Sequence, residues 1–473
     1  MRIAQSILAT TLLAVLSVGC VAPVPETLRD ADALPRWERA DLDGEVSTAW
    51  LSILNDPALS AVVNRAIEEN FALGQEAARV EQAWFTLKTT NAARLPSVSL
   101  TLDGSRRRIG AGPQNNNFGG SAGGAPIDSF GLGLDITWQA DVWGELSAAS
   151  RSAALTYAAA EASFINQRRL LAANVSRAWY ALAAACEQVT VVELQVENAR
   201  ESLDIVESGY RAGLNEALDV YLARNVLAQA ENNLAAQRQT QKEQEAQLQL
   251  LLAANPGQTP DVEPRLTDID DMPGVGIPSE LTTRRADLQQ AWLNLLAANA
   301  DLAVAHKQRF PSLTLRAGSS DSADLFPDVF DGTPLGWTLI GTVIQPLFEG
   351  GRRKANVDRS KARLKELELR YLEVANAAFA EVENAISQQQ ALAERYAAAE
   401  RALDSAEIAL GLSLEQYQRG LVNYATVLES QTRAFDARAA IVTLKNQRLQ
   451  SRIDLFVALG GAFGPGDRME ARL

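Results

Sequence analysis

The sequence predicts a mainly α-helical protein with a smaller β part, built from one unit that occurs twice. Two matching motifs indicate the duplication. Both read Tyr-x-x-Gly-Leu, at Tyr210–Leu214 and Tyr417–Leu421, and their starts lie 207 residues apart. Apolar residues recur every seven positions in the segments around these motifs, which is the spacing of long packed helices. Short segments of apolar–polar alternation, which is typical of β-strands, supply the β part.

The composition favours long helices and argues against several function classes. Only 6% of the 473 residues are aromatic, and the net charge of −14 argues against nucleic acid as a partner. Cys20 and Cys186 provide neither a disulfide framework nor a metal cluster, and His306 is interpreted as a polar-face helix residue. The glycine-rich turn Glu349–Arg353 lacks the spacing of a phosphate-binding loop. We therefore predict no enzyme, no cofactor and no metal site.

The amino-terminal residues 1–19 are predicted to be a signal peptide, because a positive start precedes an apolar run too short to span a bilayer. The run ends in Leu16–Cys20, which resembles the lipidation motif of bacterial lipoproteins. Cys20 is therefore the candidate lipidation site, and 20–48 is an extended segment anchored through it. By the same resemblance, Val21 in place of an aspartate implies sorting to the outer membrane. The alternative is an ordinary cleaved signal peptide with a chance cysteine.

The first repeat is expected to begin with capped helices and to continue into strands. Asp56 and Pro57 form a helix start, with proline at the first helical position. Pro96 ends the second helix, and alternation starts there. Two apolar–polar segments between about 96 and 141 suit the wall of a membrane β-barrel. A half-buried hairpin in a soluble sheet fits these segments equally well.

A long helix from about 143 to 209 follows the strands and carries the heptad pattern. A partner helix of about 215–254 follows the first Tyr-x-x-Gly-Leu motif and runs back along the long helix. The seam residues are Leu171, Val175, Ala178, Leu182, Ala185, Val189, Val192, Val196, Ala199, Leu203 and Val206. The second repeat carries a matching seam at Leu428, Phe435, Val442, Leu449 and Phe456.

The predicted organisation has two repeats around a linker. Strands of the second repeat are expected at 312–318 and 336–348. The predicted boundaries are signal peptide 1–19, anchored segment 20–48, first repeat 49–257 with strands at about 96–141 and a tip at about 209–215, linker 258–278, second repeat 279–462 with strands at about 311–348 and a tip at about 417–422, and tail 463–473.

Helix lengths and strand number constrain the assembly. Each long helix of about 66 residues measures ~100 Å at the usual rise per residue. Each half is expected to form a long helical hairpin joined to a two-stranded sheet. Four strands cannot close a barrel, for which about eight is the minimum. Three chains together would supply twelve strands.

Several motifs together resemble the outer-membrane factor (TolC-like) family, and within it the RND-type efflux outer-membrane lipoproteins of the OprM and NodT kind. They are the lipidation motif at Cys20, the copies Arg94-Leu-Pro-Ser97 and Arg309-Phe-Pro-Ser312, Gln345-Pro-Leu-Phe-Glu-Gly-Gly351 and the two Tyr-x-x-Gly-Leu motifs. The similarity covers essentially the whole chain after the signal peptide. It implies a homotrimer with a 12-stranded outer-membrane β-barrel and a periplasmic α-barrel, to which each chain contributes four β-strands and two long helical hairpins.

The resemblance also implies a function and partners. Such proteins are passive outer-membrane ducts, lipid-anchored in the outer membrane, that export drugs, dyes or metals. They dock on a periplasmic adaptor protein, which couples them to an inner-membrane efflux pump. An alternative within the same fold is the exit duct of a type I protein-secretion system. An alternative of another class is a coiled-coil scaffold without a β-barrel.

Ten residues acquire expected roles through the resemblance. The adaptor-contact positions are Ala212, Gly213, Leu214, Arg419, Gly420 and Leu421. The positions at the periplasmic entrance are Asp219, Tyr417, Thr426 and Glu429. The alternative for the two glycines is a turn without a partner role. Val422 stands where the family's gate carries an arginine, and only Glu429 keeps a carboxylate at the inner ring, where three copies favour cations.

Overall fold

The computed structural model describes most of the two repeats. The described residues are 50–107, 127–214, 216–255, 257, 264–269, 281–323, 325–327 and 336–461. Cys20, the signal peptide 1–19 and the anchored segment 20–48 lie outside them, as does the tail 463–473. The lipidation site therefore stays a prediction from the sequence.

Apart from one additional helix at the start of the first set, the described helices and strands occur in the same order twice. The first set is α1 (Trp50–Ile53), α2 (Pro57–Glu69), α3 (Phe71–Ala92), β1 (Ser97–Arg107), β2 (Ile127–Ala140), α4 (Glu145–Arg211) and α5 (Ala217–Leu251). The second is α6 (Leu281–Arg284), α7 (Ala286–Lys307), β3 (Ser312–Ala323), β4 (Gly336–Ile344), α8 (Arg352–Gln418) and α9 (Tyr424–Ala458). Matching helices have equal lengths: 22 residues in α3 and α7, 67 in α4 and α8, and 35 in α5 and α9. The predicted duplication is confirmed.

The four strands form one antiparallel sheet in the order β1-β2-β3-β4. Each half supplies the expected antiparallel pair, β1 with β2 and β3 with β4. The joining of the two pairs into one sheet was not predicted: β2 pairs with β3 from Phe130↔Ala323 to Ala140↔Leu313. This pairing satisfies backbone N–H and C=O groups that two separate hairpins would leave open. Within the described residues, only the outer sides of β1 and β4 remain sheet edges.

The last strand is shorter than the sequence pattern suggested. β4 ends at Ile344 and not at Phe348. Pro346 has no backbone N–H to donate to a ladder, so pairing stops before it. The Gln345 side chain instead donates from Nε2 to the carbonyl oxygen of Arg309, at 3.2 Å.

The described residues cluster into two compact units. One comprises Glu81–Ala158 and Trp292–Leu369 and contains the sheet with the adjoining helix ends. Here the Trp143 ring stacks on Phe310 at 5.1 Å, and its Nε1 donates to the carbonyl oxygen of Pro311 at 2.7 Å. These contacts hold the start of α4 against the start of β3.

The other unit contains the described parts of Thr27–Val80, Ala159–Ala291 and Arg370–Leu473. Its main core packs α2, α4 and α9 around Trp50, Trp179 and Phe456, and the rings of Trp50 and Phe456 stack at 5.8 Å. The predicted seam of α4 is buried at every position except Leu203, which is half-buried. None of the described helices is both long and apolar enough to cross a bilayer.

The predicted helix start at Asp56 is confirmed. Its Oδ1 accepts from the backbone N–H of Leu59 at 2.9 Å, with Pro57 at the first helical position. Its Oδ2 accepts from Nε1 of Trp179 at 3.0 Å, so one carboxylate both caps α2 and satisfies a buried indole. The second contact has no signal in the sequence.

We expect Asp56→Ala to lower the free energy of unfolding by about 2 kcal/mol, because a helix cap is lost and a buried N–H loses its acceptor. Asp56→Asn is the matched control, since it retains a capping oxygen and should cost less. The measurement is the loss of helical circular dichroism on heating at one fixed scan rate. A D56A protein as stable as the wild type would contradict this double role of the carboxylate.

Candidate functional site

Both interhelical tips have the same backbone turn. In the first tip (Tyr210–Leu214), the N–H of Leu214 donates to the carbonyl oxygen of Gly209 at 2.8 Å, and that of Gly213 donates to Tyr210 at 3.0 Å. In the second tip (Tyr417–Leu421), Leu421 donates to Gln416 at 2.9 Å and Gly420 to Tyr417 at 2.8 Å. This pair of bonds defines the Schellman helix end. Each long helix therefore ends through its own local sequence.

The two tip glycines are required by the backbone and lie in open space. Gly213 has φ +75° and Gly420 has φ +70°, a region that costs other residues roughly 1–2 kcal/mol. A Cβ built on either glycine meets no atom within 4 Å. The following leucines are also exposed, Leu214 by 82% and Leu421 by 69%. The tips thus present two leucines beside open backbone, together with the exposed residues Ala212 and Arg419.

The first tip is braced by an ion-pair cluster that the sequence analysis missed. Glu207 accepts from Arg211 at 3.1 Å and from Arg224, across the turn, at 2.8 Å. The hydrogen bond from Arg224 is the main cause that lowers the pKa of the Glu207 carboxyl. The spacing of Glu207 and Arg211 could have indicated their pair. The contact with Arg224 depends on the folded turn.

The second tip is braced by a helix cap. Oδ1 of Asn423 accepts from the backbone N–H of Thr426 at 3.1 Å and from its hydroxyl at 2.9 Å. Asn423 is a preferred capping residue and could have been recognised from the sequence. The Thr426 hydroxyl, which was assigned to the entrance by resemblance, is thus engaged in starting α9.

Glu429 also has a partner within its own helix. Arg433 donates from Nη2 to Glu429 at 2.5 Å, one helical turn further on. Both side chains are exposed, so the pair contributes little to stability. Arg433 does, however, place a positive charge beside the single carboxylate expected at the inner ring.

A buried core lies beneath the turns. Tyr424 is buried there, and the Tyr417 ring lies 5.5 Å from the Tyr424 ring. The cluster contains Val206, Val220, Ala223, Tyr424 and Val427. Burial raises the pKa of Tyr424 to about 12, opposed by a hydrogen bond with Ser202 and supported by the nearby Tyr417 and Asp219. Ser202 also accepts from Nε2 of Gln431 at 3.0 Å. The predicted entrance residues Asp219 and Tyr417 therefore both lie beside Tyr424, which the sequence did not single out.

This arrangement offers surfaces for contact. Among the described residues, no group of three or more His, Cys, Asp and Glu side chains converges as a metal site. The exposed leucines and the glycine backbone can pack against another protein. The buried Tyr424, the half-buried Tyr417 and the helix caps brace the turns, which reduces the entropy cost of such a contact.

Comparison with known proteins identifies related chains of nearly full length. The model of the family "outer membrane efflux protein" matches residues 62–254 and 277–461. The pyoverdine export outer membrane protein OpmQ of Pseudomonas aeruginosa is 31% identical over 95% of this chain and 96% of its own. The cation efflux system protein CusC of Escherichia coli is 27% identical over 94% and 96%. A crystal structure of CusC aligns with a TM-score of 0.80 and 25% identity, over 91% of this chain and 100% of its own.

We expect Tyr424 to lose its proton only well above pH 10. Burial favours the neutral phenol, so the folded protein holds this proton between the ordinary pKa of 10.0 and about 12. The stabilisation is complete below pH 10 and is lost as the pH rises towards 12. The measurement is the phenolate absorbance of the wild type minus that of Tyr424→Phe across an alkaline titration. A difference transition near pH 10 instead of near 12 would show that Tyr424 is solvated.

Proposed function

The chain belongs to the outer membrane efflux protein family, and from this membership we propose that three copies form one passive duct across the outer membrane. Drugs, dyes or metals enter this duct from an inner-membrane pump through a periplasmic adaptor. The lipid anchor at Cys20 holds each chain to the membrane. Residues 49–257 and 279–462 act as the two repeats of this unit.

The sheet carries the proposal of a trimer. Its edges β1 and β4 both display apolar side chains to solvent in the single chain. These residues are Val98, Leu100, Leu102, Trp337, Leu339, Ile340, Val343 and Ile344. An open apolar edge is an aggregation hazard unless another strand or lipid covers it. Pairing β1 of one copy with β4 of the next removes all edges, and three copies give the twelve strands of a closed barrel.

The tips are proposed as the adaptor contacts. The support is local: both turns expose a leucine beside a glycine whose missing side chain leaves space for another backbone. Ala212, Gly213 and Leu214 belong to one contact, and Arg419, Gly420 and Leu421 to the other. An adaptor helix packed against the tips would bury these leucines.

The entrance is proposed to lie just behind the tips. Tyr417 packs against Tyr424 and Asp219 lies near its phenol, and Thr426 and Glu429 follow in the first turns of α9. Because Arg433 contacts Glu429, the ring of three carboxylates is partly neutralised. We therefore propose an entrance that selects cations only weakly.

A bulky tip should block docking without unfolding the protein. We expect that a Gly213→Trp/Gly420→Trp double variant fails to restore resistance to a deletion strain that the wild type rescues. Gly257→Trp is the matched control, because Gly257 also has positive φ and open space around its Cβ position. The measurement is susceptibility to antibiotics, dyes, detergents and metal ions, with membrane levels of each variant checked.

Three other results would count against this picture. Rescue of resistance by the Gly213→Trp/Gly420→Trp variant would show that the tips do not take part in docking. Failure of Gly257→Trp at normal membrane levels would point to backbone strain and away from docking. Unchanged susceptibility of the deletion strain together with a missing secreted protein would reassign the duct to type I secretion.

The charge of the entrance can be tested separately. Arg433→Gln exposes the Glu429 carboxylate, so we expect a clear shift of ion selectivity towards cations. The double variant Glu429→Gln/Arg433→Gln should return to weak selectivity. The measurement is the reversal potential of the protein in planar bilayers under a KCl gradient. Equal values for all three proteins would place this pair away from the conducting path.

A further inference from the structure

The helices join the sheet at one of its ends, where β1 and β3 begin and β2 and β4 finish; this end is called the helical edge below. β1 begins after α3 and β3 after α7, whereas β2 ends before α4 and β4 before α8. The registers bring these ends together, because Ser97 pairs with Thr137, Ala140 with Leu313 and Ser312 with Ile344. In the proposed duct, this edge lies at the periplasmic surface of the outer membrane. The first turns of α8 therefore start beside that surface.

The start of α8 is strongly basic in an acidic chain. Between Arg352 and Lys365 there are seven basic side chains and a single acidic one, Asp358, although the whole chain carries a net charge of −14. The seven are Arg352, Arg353, Lys354, Arg359, Lys361, Arg363 and Lys365. The matching stretch of α4, from Glu145 to Ala158, has one basic and one acidic residue. The basic cluster at the start of α8 is therefore not a feature shared by the two repeats.

Part of this charge is not balanced within the chain. Glu349 contacts Arg352 and Arg353, and two further pairs engage Arg363 and Lys365. Lys354, Arg359 and Lys361 are exposed, and they have no carboxylate within 4.0 Å among the residues that the structure describes. Like charges on adjoining turns repel one another unless an anionic partner is present. A partner with several negative charges would relieve this repulsion.

A cavity beside the cluster fits a phosphate group. It has a volume of about 450 Å³ and lies between α7 and α8. Its polar lining includes Asn356, Arg359, Ser360, Arg363, Gln308 and Asp301. A guanidinium can bind phosphate through two parallel hydrogen bonds, and the amide and hydroxyl add neutral donors. Asp301 offsets part of this positive charge and Arg363 is paired with Glu366, so Arg359 is the guanidinium that the cavity offers to a phosphate.

The segment before α8 adds an apolar contact. Leu347 is exposed by 94% and Phe348 by 90% in the turn that joins β4 to α8. Apolar side chains next to a basic helical segment are typical of structures that lie in the headgroup region of an anionic membrane. Binding of a small soluble anion would not account for this exposed apolar pair, whereas binding to a lipid surface does.

We propose that the basic start of α8, with Leu347 and Phe348 before it, binds anionic phospholipid headgroups of the periplasmic leaflet. The proposal rests on the proposed outer-membrane duct. The phosphodiester of a phosphatidylglycerol-type lipid lies against Arg359 at the cavity, Lys354 and Lys361 attract further headgroups, and the two apolar side chains reach the acyl boundary. The cluster thereby fixes the depth of the barrel in the membrane.

The test uses the full-length protein in phosphatidylcholine vesicles that contain spin-labelled phosphatidylglycerol or spin-labelled phosphatidylcholine. The fraction of immobilised label gives the preference of the protein for the anionic lipid. We expect the wild type to prefer phosphatidylglycerol over phosphatidylcholine at least severalfold, since each basic residue near an anionic surface contributes roughly a fivefold attraction. Added salt should weaken it.

The variant Lys354→Gln/Arg359→Gln/Lys361→Gln removes three charges without breaking an ion pair seen in the structure, and it should lose most of the preference. The matched control is Lys242→Gln/Arg395→Gln/Arg401→Gln, which removes three exposed basic side chains from the other unit and should keep it.

Two outcomes would overturn the proposal. One is an unchanged preference in the first variant. The other is an equal loss in both variants, which would indicate a response to net charge alone. A change only in the ion selectivity of the channel, with lipid preference intact, would likewise assign the cluster to the duct wall. Failure of the duct itself is distinguishable, because the wild type would then not insert as a conducting trimer.

Discussion

A strand within a lipid bilayer must have every backbone N–H and C=O group hydrogen-bonded inside the protein. In this chain, β2 and β3 meet that condition on both sides, while β1 and β4 each keep one unpaired side. The chain alone cannot remove those edges, so its outer-membrane family role depends on other copies. The same constraint accounts for the connections. Each strand hairpin leaves and returns at the same end of the sheet, so α3 and α7 end there and α4 and α8 start there.

The far ends of the long helices solve a different problem. Each 67-residue helix must stop, and the chain must reverse, at a turn that is exposed to solvent. Glycine and two backbone hydrogen bonds accomplish this locally at both tips. Tyr424 and its neighbours then anchor the turns from beneath. The result is a braced turn that exposes a leucine beside glycine backbone, which suits the proposed adaptor contact because little ordering is needed on binding.

Local chemistry is what the sequence predicted well. The Asp56 cap, the two tip glycines and the heptad seam each depend on residues within a few turns of one another, so their spacing is visible in the chain. The pairing of β2 with β3 was missed, because alternation indicates which face a residue takes and carries no information about which strand lies alongside. For the same reason, Arg224 beside Glu207 and Trp179 beside Asp56 had no sequence signal. Asn423, as a helix cap, and Arg433, as a partner of Glu429 one helical turn away, do carry local signals in the sequence.

The duplication preserved geometry more strictly than chemistry. Matching helices keep equal lengths, because a change of one residue in a long packed helix would rotate all later side chains by about 100° relative to their seam. Side chains on the surface are free of that restriction. One tip is therefore held by Glu207 and Arg224 and the other by Asn423, and one long helix starts with a basic cluster while its counterpart does not. In a ring of alternating repeats, such differences place each specialised surface at every second position. Three copies then present three equivalent contacts of each kind, and a partner can distinguish the two repeats although their backbones match.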